Sequence, residues 1–98
     1  VYIEGIETGE TAMKPTINDT RFVFLPADDE STDDSFKLLC GSGGVEIQCA
    51  PYAGGYGVNS YGYDNPDDEG TFWMQGHGIY RSLERARRKA LEVAGLKP

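Results

Sequence analysis

The chain has 98 residues, 39% of them hydrophobic and 13 of them glycine, with a net charge of −7. That length suffices for one domain with a modest core. No stretch approaches the ~18 apolar residues of a membrane-spanning helix, and the overall acidity opposes non-specific binding to nucleic acid or membranes. The charge is unevenly placed: residues 1–80 carry fourteen acids and three bases, residues 81–98 six bases and two acids. A basic C-terminal segment and acidic loops would attract each other within one fold.

Residues 1–6, VYIEGI, alternate well enough for a first strand, though Gly5 weakens it. With no basic residue and no long apolar run, the first ten residues do not read as a secretory signal. Residues 7–20 lack a clear period and read as a connection, with one helical turn near 11–14. RFVFL at 21–25 is short, aromatic and β-branched, and Pro26 stops it. Residues 26–35 form an acidic loop.

Residues 36–50 have the pattern of a hairpin. FKLLC and VEIQCA flank GSGG, read here as a four-residue turn. Setting Cys40 opposite Val45 places Leu38 against Ile47 and Phe36 against Cys49. All six then share one face, with Lys37, Glu46 and Gln48 on the other. In that register the cysteines are not opposite each other, so both are expected reduced and buried, in a cytoplasmic setting. Without a CxxC pair or further histidines, no zinc site is expected.

The Gly- and Tyr-rich stretch that follows reads as a turn at 51–55 and a strand at 56–63. An acidic loop at 64–70 leads to a partner strand, TFWMQ, at 71–75. Setting Tyr63 opposite Thr71 brings Tyr61 to Trp73 and Asn59 to Gln75. Those five residues, Tyr61, Tyr63, Trp73, Asn59 and Gln75, would form an aromatic, amide-bearing face looking away from the helix. Aromatic rings beside amides suit a ring-shaped ligand, a partner's anchor residue or a homodimer contact.

His77, the only histidine, lies in GHG between strand and helix. It reads as an exposed turn residue. A general base would need a nucleophile within reach, for which Cys40, Cys49, Tyr80 and Ser82 are candidates. The acidic loops at 28–34 and 64–70 could bind Ca²⁺ through carboxylates, but neither has EF-hand spacing, and solvated loops are the simpler reading.

The final element is a helix over residues 82–94. Ser82 is a favourable N-cap, Glu84 suits the first turn, and Gly95 fits the position past the end. Leu83, Ala90 and Ala94 centre one apolar face, flanked by Ala86, Leu91 and Val93. Arg85, Arg88, Lys89 and Glu92 lie opposite. Arg87 falls inside the apolar arc. In the simpler reading its stem lies over the sheet edge and its head reaches water; in the sharper one it pairs with an upstream carboxylate or anchors a ligand.

Together these readings give one α+β domain over 1–98, a meander-like antiparallel sheet of five or six short strands with the helix on one face. The functional expectation is a small, soluble, non-enzymatic binding module for a protein or small-molecule partner at the aromatic face, without a metal or cofactor. One alternative is a small hydrolase or transferase using His77 with a nearby Cys or Tyr. Another is a nucleic-acid binder acting through Arg85, Arg88 and Lys89.

Overall fold

The computed structural model describes residues 16–28, 33–50 and 53–98. The expected strand at 1–6 and helical turn at 11–14 lie outside these residues. Five strands, β1 (Val23–Leu25), β2 (Ser35–Cys40), β3 (Gly43–Ala50), β4 (Gly55–Tyr63) and β5 (Phe72–Tyr80), form an antiparallel meander in sequence order. One helix, α1 (Leu83–Val93), packs on one face, mainly against β4 and β3. The expected fold class therefore holds.

The apolar alternation of β2, β3 and β4 builds the core. Phe36, Leu38, Val45, Ile47, Cys49 and Val58 face the helix, where Ala86, Ala90 and Leu91 meet them, all buried. The small alanines let α1 sit close to the sheet. Capping ends the helix as its sequence specifies. Ser82 Oγ accepts the Arg85 N–H at 3.0 Å. Gly95, at φ +77°, turns the chain, so that its own N–H and that of Leu96 close on the Glu92 and Leu91 carbonyls.

Arg87 takes the sharper of its two readings. Its guanidinium bonds Asp19 at 3.0 Å and Glu84 at 2.7 Å, pinning the segment before β1 to the helix. Arg21 and Arg87 together hold the Asp19 carboxyl well below its ordinary range. Arg87 and Arg88 hold Glu84 down to about 2.

Two registers differ from expectation. In the β2–β3 hairpin, Leu38 pairs with Val45 and Phe36 with Ile47, two residues from the predicted offset. The turn is only Gly41 and Ser42, with Gly41 at φ +62° as a tight hairpin turn requires. Gly43 and Gly44 belong to β3. A two-residue shift preserves the faces, so the predicted apolar side is the core side. Both thiols are free, but Cys40 is exposed at the hairpin end and only Cys49 is buried.

The β4–β5 pairing is offset by one residue, and that exchanges faces. Tyr63 pairs with Phe72, Gly62 with Trp73, Tyr61 with Met74 and Ser60 with Gln75. Thr71 is missing from the strand because its hydroxyl bonds the Asp68 carbonyl at 2.7 Å and the Asn65 N–H at 3.0 Å. It closes a 3₁₀ turn, Glu69–Thr71, instead of opening β5. The strand also continues through Gly76, His77 and Gly78 to Tyr80, with a bulge opposite Gly57 to Asn59 and Gly78 at φ +106°.

Candidate functional site

The helix is shorter than the sheet it covers. Eleven residues span about 16 Å of helix, whereas nine-residue strands run about 30 Å. Among the described residues nothing covers the helix side of the sheet beyond Val93, and a cleft of about 340 Å³ opens there. Its volume lies at the small end of the range for ligand pockets, about 300–1,000 Å³.

Val45 and Ser60 lie under the cleft, and Cys40 borders it from the hairpin. Trp73, Gln75 and His77, alternate residues of β5, form one wall. The indole lies over Gly62, where a Cβ would come within 2.9 Å of its six-membered ring. Glycine is needed there so that the ring can approach the strand this closely. Trp73 is still 41% exposed, so part of the indole is open to solvent.

His77 is half-buried inside the strand, not in the exposed turn expected for it. Its Nε2 lies 2.8 Å from Ser60 Oγ. Ser60 is buried on the apolar face beside Val58, and this contact satisfies its hydroxyl. Tyr80 donates its hydroxyl to the His77 carbonyl at 2.8 Å and steadies the bulge. Depending on tautomer, His77 either donates to Ser60 or accepts its proton. Ser60 was not among the expected site residues. Its signal was legible in the alternation of β4, which places a hydroxyl between Val58 and Gly62 and so demands a partner.

The expected aromatic patch is divided between the two faces. By register Tyr61, Tyr63 and Asn59 belong to the helix-free face, and Trp73 and Gln75 to the helix side with His77, while Tyr61 and Tyr63 also border the cleft. Met74 takes the place foreseen for Trp73, opposite Tyr61, and the place foreseen for Thr71, opposite Tyr63, goes to Phe72. Its ring centroid is 5.4 Å from Tyr63 and 6.4 Å from Tyr61. Tyr61 lies over Gly44, with Lys37 Nζ 5.4 Å above its ring. Burial, reinforced by Glu46, pushes the Tyr61 hydroxyl pKa up.

On the basic helix face, Arg88 pairs with Glu84 and Lys89 with Glu92, while Arg85 is exposed. Among the described residues, no three His, Cys, Asp or Glu side chains come together as a metal site. In the 64–70 loop, Asp68 and Asn65 instead accept the Gly70 and Asp67 N–H groups. No helix among the described residues is long and apolar enough to cross a membrane. Comparison with family models, curated proteins and solved structures finds no match.

Proposed function

We propose that this protein is a non-enzymatic binding module whose site is the cleft beside Trp73, and that it takes a small planar ligand with a hydrogen-bonding edge. The observation that carries this reading is the close seating of the Trp73 indole against Gly62, next to the Gln75 amide and the His77–Ser60 pair. The indole offers a stacking surface and the polar groups on the same wall offer directional contacts. The free thiols of Cys40 and Cys49 support a reducing, cytoplasmic setting.

The 2.8 Å Ser60–His77 contact favours a second reading, acyl transfer with Ser60 as nucleophile and His77 as base. Against it, Ser60 is only 8% exposed, and no carboxylate among the described residues hydrogen-bonds His77 to orient it. Binding is therefore the better-supported function.

Trp73 is the only tryptophan, so its emission reports on the cleft directly. Titration with nicotinamide, benzamide and adenine should give saturable quenching for at least one probe. Gln75→Ala and His77→Ala, which keep the fluorophore, should weaken it roughly ten-fold. Equal binding by both variants would reject the cleft. Hydrolysis of p-nitrophenyl acetate that disappears in both Ser60→Ala and His77→Ala would favour the enzyme.

A further inference from the structure

We infer that the chain forms a two-fold homodimer by antiparallel pairing of its β5 edges, centred on Met74. This stands independently of the ligand reading, since it rests on the sheet edge and the charges at its ends.

The two edges of the sheet are not alike. β1 is three residues long and is followed by Pro26. Short strands and prolines blunt an edge against pairing. β5 has nine residues, FWMQGHGIY, with no charged residue and no proline, in a chain rich in acids. Among the described residues no strand pairs with its outer side, and Phe72 to Gly76 are all exposed. The bulge begins after Gly76, so the regular half of the edge is residues 72–76.

A two-fold axis through Met74 overlaps those five residues with their own copies. Phe72 then lies against the partner's Gly76, and each Met74 meets the partner's Met74. These bulky groups lie on the helix-free face, with glycine receiving the ring. On the other face Trp73 lies beside the partner's Gln75. Facing residues on one side of an antiparallel pair come within contact distance, so these apolar and aromatic groups would pack across the strands.

Charge favours the same arrangement. Asp67 and Glu69 precede β5; Arg81 follows it, with Arg85 one helical turn on. All four are exposed, and none forms an ion pair among the described residues. The other helix arginines are already paired with Glu84 and Asp19. Antiparallel pairing brings the acidic end of each strand to the basic end of the other, twice. This local attraction opposes the mutual repulsion of two chains of net charge −7. A parallel arrangement would instead set like charges together. The dimer would also add the partner's Gln75 to the wall of each cleft.

Sedimentation equilibrium of the full chain tests this. The wild type should reach twice the chain mass with rising concentration. Met74→Lys places two lysines together on the axis, in side chains that are exposed in the monomer, and should weaken dimerisation by roughly ten-fold or more. Its circular dichroism should match the wild type. Arg81→Glu should also weaken the dimer, and adding Asp67→Arg to it should restore association. This swap serves as the test if the lysine variant fails to fold. A wild type that stays monomeric up to about 1 mM, a dimer indifferent to Met74→Lys, or a charge swap without recovery would each overturn the inference.

Discussion

Cys49 lies under the helix and Cys40, exposed, at the turn of the hairpin, and this separates their chemistry. Burial, reinforced by Asp34 and Asp33, pushes the Cys49 thiol up to about 11. Near pH 8 a disulfide reagent should therefore modify one thiol, Cys40, in the native protein and both after unfolding. Two fast native thiols would show that Cys49 is not enclosed. Gly62 is a second telling position. An added methyl would lie 2.9 Å from the indole and lift it from the strand. Gly62→Ala should cost about 1–2 kcal/mol, shift Trp73 emission to the red and abolish probe binding. An unchanged spectrum would contradict the seating of the ring.

At the scale of elements, local signals were easier to read than pairing offsets. The helix was legible because Ser82, Glu84 and Gly95 act within its own turns. The core faces of β2 and β3 were legible because alternation survives a two-residue shift. GSGG misled because two of its glycines serve in the strand, and glycine signals turn and strand distortion alike. Trp73 was put on the wrong face because Thr71, a good strand residue by type, spends its hydroxyl on the loop. No local pattern reports that, and a one-residue slip moves every side chain of a strand.

The Asp19–Arg87 link joins residues 68 apart, which explains why no sequence period revealed it. Its contribution should depend on pH. Arg21 first, then burial acting against it and Arg87 with it, set the Asp19 carboxyl, and the net effect lowers its pKa from 3.8. A carboxyl with a lowered folded pKa stabilises the fold fully above its unfolded value and loses that effect as pH falls. Asp19→Asn should cost about 1–3 kcal/mol at pH 7. The gap in unfolding midpoint between the two proteins should hold down to about pH 5 and narrow below about pH 4. A gap that widens on acidification would reverse the assigned sign.

At the scale of the molecule, the determining fact is that among the described residues one short helix covers a longer sheet. It encloses a core under its alanines and leaves two unlike surfaces. One is the cleft with Trp73, Gln75 and His77; the other is the helix-free face with Tyr61, Tyr63, Phe72 and Met74. They lie on opposite sides of β5, so one spectrum can tell them apart. The deciding measurement is an NMR titration with nicotinamide, benzamide and adenine in turn that follows, for any probe that quenches Trp73, the Trp73 indole N–H, the Gln75 side-chain amide and the Met74 methyl. The indole and amide signals should move together and saturate while the methyl stays in place. Movement of the Met74 methyl with a static indole would put binding on the helix-free face and contradict the cleft.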